Sequence, residues 1–286
     1  MSVVFTRTRH VYDSYWHFWK LVELSGYETC YLDEANLDDP GKVFIVTPLN
    51  GELGTWTGKM ERPLTWDEAQ IVPRTIAGRR AKTVWWCLEQ YSPAGDDPLS
   101  ARLDELIGPD KPFDRVWASD EHFCKVDRRV EFVRLGSSAG MNTTGTLAYT
   151  RVRYKYDATP MAYLWGRRAA IFEQLLNLGV KLGPNSSKEP ERSEIIAASR
   201  WFLNLQQYPK PYIAPLRAAI AAAYGCALLS EPLGAPFPHV LEVSEPTRMA
   251  EIVSDERNPL AKHLAESLHQ FLCIDNTFRS FVDAKV

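Results

Sequence analysis

Three arginines and one glutamate offer the plainest chemistry in this sequence. In "YLWGRRAAIFEQLLNLGV" an apolar run ends at Gly166, and Arg167 and Arg168 follow at once to open a helical pattern. A glycine lets a ligand approach the backbone. A helix N-terminus offers unpaired N–H groups with a partial positive charge, and guanidinium groups add charge-assisted hydrogen bonds. Together they suit a phosphate. The plainer alternative is a solvated basic helix start, which the macrodipole slightly disfavours. A second group lies in "WFLNLQQYPKPYIAPLRAAIAAAYGCALLSEP", residues 201–232. Arg217 stands in the first turns of an otherwise almost purely apolar helix, which stops at Gly225 and passes directly into the strand "CALLS". It faces the loop "QQYPKPY", containing Gln206 and Tyr208, at the end of the preceding strand, while Glu231 in "SEP" ends the next one. An arginine and a carboxylate flanking one crevice suit a diphosphate and a ribose or sugar hydroxyl. The plainer reading is that alanine-rich helices are simply good helices and "SEP" is a turn.

These side chains need elements to position them, and the pattern supplies strands alternating with helices. Strands are predicted at 2–7, 28–33, 42–48, 82–89, 115–120 and 129–137, then at 161–166, 180–184, 201–207, 226–230 and 239–244. Helices are predicted at 14–26, 99–108, 167–179, about 192–199, 214–224, 245–255 and 260–272. Continuous apolar strands separated by helices indicate parallel sheets covered on both faces. The small, polar stretch 137–160 breaks the rhythm and reads as a domain junction. The expected architecture is therefore α/β, with two Rossmann-like domains, 1–150 and 151–286, facing a central cleft. In such sheets ligands bind at the carboxyl ends of the strands.

Composition agrees. The 286 residues are 45% hydrophobic and 24% charged, enough for two cored domains, and the net charge of -3 gives no overall attraction to polyanions. The five cysteines are scattered without CxxC pairs, which argues for a reducing compartment and against zinc. No window approaches 18 apolar residues and no signal-peptide pattern opens the chain, so a cytoplasmic protein with no membrane partner is expected. "GSSAG" at 136–140 is wrongly spaced for a dinucleotide fingerprint.

The order strand, "GRR", helix, then strand "FLNL", then "R-x7-GCALLSE" resembles the C-terminal half of GT-B glycosyltransferases. It is closest to the bacterial and phage branch that includes the spore-maturation type proteins. The resemblance covers about 160–270; residues 1–140 match only in strand order. It implies an acceptor-binding N-terminal domain and a C-terminal domain that holds a nucleoside-diphosphate sugar, with UDP as the expected nucleotide. The sugar nucleotide would be a co-substrate, and no cofactor is called for. Donor-binding candidates are Gly166, Arg167, Arg168, Gln206, Tyr208, Arg217 and Glu231. The branch's pattern has a glutamate inside the donor helix where this chain has Ile220. Either Glu231 takes over its ribose contact or the donor is held differently.

Within that frame a carboxylate or imidazole beside an acceptor hydroxyl would remove its proton during inverting transfer. Candidates are Glu89 past "VWWCL", then Asp13 (with His10) in the first loop, then Asp120 (with Glu121 and His122) in "VWASDEHF". Each could equally be a cap or an exposed turn. The acidic pairs at 38–39 and 96–97 lie in turn-like segments rather than at strand ends, so metal-independent transfer is expected. The long insert 49–82 interleaves Lys59, Arg62, Arg74, Arg79, Arg80 and Lys82 with Trp56 and Trp66, which suits a DNA acceptor, sugar rings, or a plain cover over the core. A hydroxymethylated pyrimidine in phage DNA, in the host cytoplasm, is one acceptor on this reading. A protein or glycan acceptor, and a non-catalytic nucleotide-sugar binding protein, are the alternatives. Nothing in the sequence sets the oligomeric state.

Overall fold

The computed structural model describes residues 2–7, 16–47, 79–88, 103–108, 110–119, 121–162, 164, 166–186, 188–206, 213–234, 237–275 and 277–286. The chain divides into two compact units, Met1–Leu135 with Arg279–Val286, and Gly136–Phe278.

The first unit contains β1 (Ser2–Arg7), α1 (Trp16–Leu24), β2 (Glu28–Tyr31), β3 (Lys42–Val46) and β4 (Lys82–Cys87). It continues with α2 (Leu103–Leu106), β5 (Arg115–Ala118), α3 (Glu121–Val126) and β6 (Val130–Phe132). Its six strands pair in the order β2-β1-β3-β4-β5-β6, every pairing parallel. Successive side chains of a strand point to opposite faces, so the pair Trp85–Trp86 tests whether both faces are covered. Both are fully buried. Trp85 packs with Phe113, Leu103 and Phe123, and Trp86 with Phe5 and Phe18.

The second unit has β7 (Tyr156–Thr159), α4 (Arg167–Asn177), α5 (Glu191–Ala197), β8 (Ser199–Asn204), α6 (Pro215–Tyr224), β9 (Ala227–Ser230) and β10 (Val240–Glu242). It ends with α7 (Pro246–Ser254) and α8 (Pro259–His269), which runs into a π-helical turn, Gln270–Asp275. The sheet order is β10-β9-β8-β7, again parallel throughout. A helix apolar all round must be buried all round. In α6, Ala218, Ala219, Ala221, Ala222 and Ala223 are at most 1% exposed. Their small side chains let Ser137 Oγ donate to the Ala219 carbonyl at 2.7 Å and bring a ring nitrogen of His269 to 2.8 Å from that of Ala222. Gly225 ends α6 in the left-handed conformation (φ 67°), and the Cys226 N–H returns to the Ala221 carbonyl at 2.9 Å.

Two expectations are corrected. The first strand of the second unit is Tyr156–Thr159, not 161–166: Pro160 follows it, and Met161 sits at φ 38°. The segment 180–184 contributes a single bridge, Ala158 to Leu182, rather than a strand. Residues 136–150 group with the second unit. Met141 and Ala148 are fully buried, the Tyr224 hydroxyl donates to the Met141 carbonyl, and the Tyr149 N–H donates to that of Gly225. The last element, α9 (Phe278–Asp283), carries 279–286 back to the first unit. There the Tyr27 hydroxyl donates to Asp283 at 2.6 Å, and Arg115 donates to the Lys285 carbonyl at 2.8 Å. Among the described residues no helix is long and apolar enough to cross a membrane.

Candidate functional site

The carboxyl ends of β8 and β9 hold a network that gathers most of the residues singled out by sequence. β8 delivers Asn204, Leu205 and Gln206; β9 delivers Ser230 and Glu231; α4 and α6 begin beside them with Arg167, Arg168 and Arg217. Arg168 Nε donates to the Leu205 carbonyl at 2.8 Å, and Arg217 Nη1 donates to the same oxygen at 2.9 Å. Arginines from two different helices therefore converge on one atom.

Arg167 completes the group through Glu231. Its Nη1 donates to Glu231 Oε2 at 2.8 Å and to the Gln206 carbonyl at 3.0 Å, and its Nη2 donates to Glu231 Oε1. The Gln206 N–H also donates to Glu231 Oε2, at 2.6 Å. Gln206 Nε2 reaches the Pro232 carbonyl at 2.8 Å. The Glu231 side chain is only 3% exposed, against 37% for Arg167. The bond to Glu231 holds the Arg167 guanidinium above its ordinary pKa. Glu231, expected to meet a ribose or sugar hydroxyl, thus has both oxygens engaged within the protein. It holds Arg167 and the backbone of Gln206.

Local sequence explains the placement. Gly166 precedes α4 at φ 54°, ψ -128°, a region open essentially to glycine alone, so the turn into the helix requires it. Pro215 at the first position of α6 presets the helix, and the N-cap residues Gly166 and Ala214 have no side chain that could cap α4 or α6. The edge therefore combines two helix N-termini with three guanidinium groups against one buried carboxylate, an arrangement suited to a polyvalent anion.

Asn204 went unnoticed in sequence. It is 1% exposed, its Oδ1 accepts from Arg217 Nη1 at 3.1 Å, and its Nδ2 donates to Ser230 Oγ at 2.8 Å. The available signal was a lone amide inside the apolar run "FLNL". Ile220 of α6, where the resemblance has a glutamate, is a core residue at 7% exposure.

Glu89, Asp13, Asp120 and Tyr208, together with His10, lie outside the described residues. So does most of the basic insert. Of its cations within the described residues, Arg79 pairs with Asp114 at 2.9 Å and is 6% exposed, so it is a structural ion-pair partner rather than a free surface charge. Arg80 and Lys82 are exposed.

No protein-family model matches the sequence, and no curated protein matches it either. Solved structures do match. A DNA-modifying β-glucosyltransferase, determined in the presence and absence of uridine diphosphoglucose, superposes with a TM-score of 0.52 at 10% identity over 99% of this chain and 98% of that one. An α1,3-fucosyltransferase superposes with a TM-score of 0.48 at 11% identity, over 99% and 88% of the respective chains. With its parallel α/β sheets and the first of these superpositions, the chain has the fold of the GT-B glycosyltransferases.

Proposed function

We propose that the protein moves a sugar from a nucleoside-diphosphate sugar, with UDP as the nucleotide, to the hydroxyl of a hydroxymethylated pyrimidine in DNA. The observation that carries this reading is the meeting of Arg168 and Arg217 on the Leu205 carbonyl, beside the Arg167–Glu231 pair. The acceptor class is supported by the fold neighbour, itself a DNA-modifying glucosyltransferase.

On this reading the second unit holds the donor and the first the acceptor. Gly166, Arg167, Arg168 and Arg217 surround the diphosphate, Gln206 and Tyr208 border the nucleotide, and Glu231 orients Arg167. As the bond between the sugar's anomeric carbon and the diphosphate oxygen breaks, charge accumulates on the departing phosphates. The guanidinium groups and helix N-termini stabilise that charge without a metal ion. The acceptor oxygen bonds to the anomeric carbon and yields its proton to a base, first Glu89, then Asp13 or Asp120. The reaction takes place in the cytoplasm.

Calorimetry with UDP and UDP-glucose tests the donor site. Replacing Arg217 with alanine removes a charge-assisted contact of about 1.5–3 kcal/mol, so affinity is expected to fall about 10- to 150-fold. Equal affinity in the variant rejects the assignment. Release of UDP from UDP-glucose only when hydroxymethylated DNA is added identifies the acceptor. Binding of UDP-glucose without release in the presence of DNA, protein or glycan acceptors identifies a binding protein instead.

A further inference from the structure

A second concentration of positive charge lies away from the donor edge, at the amino end of the second sheet. Between Glu131 and Asp157 the sequence contains no acid. Within that stretch stands "RVRYK", residues 151–155, whose Arg151, Val152, Arg153 and Lys155 are all exposed, Val152 to 97%.

Cations here could simply cap helices, because α5 and α6 both end at this edge and helix C-termini attract positive charge. The hydrogen bonds argue otherwise. The Ala198 carbonyl after α5 accepts from the backbone N–H groups of Lys155 and Tyr156 at 3.1 and 3.2 Å, and the Gly225 carbonyl after α6 accepts from that of Tyr149 at 3.0 Å. The backbone does the capping and leaves the side chains to solvent. None of Arg151, Arg153 and Lys155 has a carboxylate partner among the described residues. The nearest acid in sequence, Asp157, is 8% exposed and accepts from the Lys181 N–H at 2.9 Å, close to Arg200. Aromatic rings flank the segment: Arg200 lies 5.8 Å from the Tyr154 ring centre, and the Lys155 ammonium 5.1 Å from that of Tyr156.

We propose that residues 151–155 form a phosphate-contacting ribbon for duplex DNA. This rests on the DNA-acceptor reading above and moves the expected contact from the insert, whose Arg79 is buried in an ion pair, to the second unit. Arg151, Arg153 and Lys155, exposed beside a single exposed apolar side chain and on no amphipathic helix, fit a phosphate backbone better than a lipid surface.

The test is fluorescence anisotropy of the full chain with a labelled duplex over a salt series. Each phosphate contact contributes about 0.9 to the slope of log affinity against log salt. Arg151→Ala/Arg153→Ala/Lys155→Ala is expected to lower that slope by about two to three. Arg151→Lys/Arg153→Lys is expected to keep it. An unchanged slope in the triple variant overturns the proposal, as does a wild-type chain that ignores DNA at low salt or prefers anionic vesicles. UDP-glucose affinity is measured in the same preparations without DNA. A wild-type chain that does not bind UDP-glucose sinks the donor reading and leaves the ribbon to stand or fall on the slope.

Discussion

Removing Arg167 exposes what the Arg167–Glu231 pair is worth. The carboxylate is 3% exposed and accepts from Arg167 through both oxygens, while the guanidinium is 37% exposed and can turn to water. Taking one partner from a fully buried pair costs about 3–5 kcal/mol, and water reaching the half-open arginine side brings Arg167→Met to about 2–3 kcal/mol. Glu231→Leu leaves an arginine that can rehydrate, but it also strips the Gln206 N–H of its acceptor, for about 1–3 kcal/mol. The double variant leaves no buried charge and only the N–H unpaired, so it is expected to cost about 1–3 kcal/mol, less than the two singles together. The implied coupling is about 2 kcal/mol. Denaturant-dependent hydrogen exchange of the β8 and β9 amides reads this in the second unit alone. Additive single effects, or an Arg167→Met cost below about 1 kcal/mol, would refute the pair as a buried unit.

Gly225→Ala would place a methyl 2.8 and 2.9 Å from two Tyr149 ring carbons and 3.1 Å from Leu147 Cβ, at a φ of +67°. Left-handed strain of about 1–2 kcal/mol and crowding of about 1–3 kcal/mol predict a clear drop in thermal midpoint; a shift within error contradicts the packing. In the first unit, the Arg115 guanidinium holds the Glu131 carboxyl below its usual range. Its folded pKa is depressed, so the stabilisation is present above the ordinary value of about 4.3 and is lost as pH falls below it. Unfolding midpoints, followed from neutral pH down through the carboxylate range, should therefore decline less steeply in Glu131→Gln than in the wild type.

Much of the network at the ends of β8 and β9 was legible because its signals are local. Gly166 before Arg167, Pro215 before Arg217 and Gly225 after α6 each follow from neighbouring residues. The pairing of Arg167 with Glu231 spans 64 residues and has no spacing rule, so the sequence does not show it. Strand β7 was missed for a related reason. "YDAT" looks polar, yet Asp157 and Thr159 are buried in the fold, whereas the apolar "MAYLWG" lies beyond Pro160. The short α9 carries too few residues for a periodic pattern, and its destination in the first unit depends on Tyr27 and Arg115, far away in sequence.

That returning helix has a consequence for how the molecule is made. Residues 279–286 complete a unit whose other residues precede Gly136, so everything belonging to the second unit leaves the ribosome before the first has its final piece. The first unit therefore gains its Asp283 and Lys285 contacts only after the whole of segment 136–278 has been made.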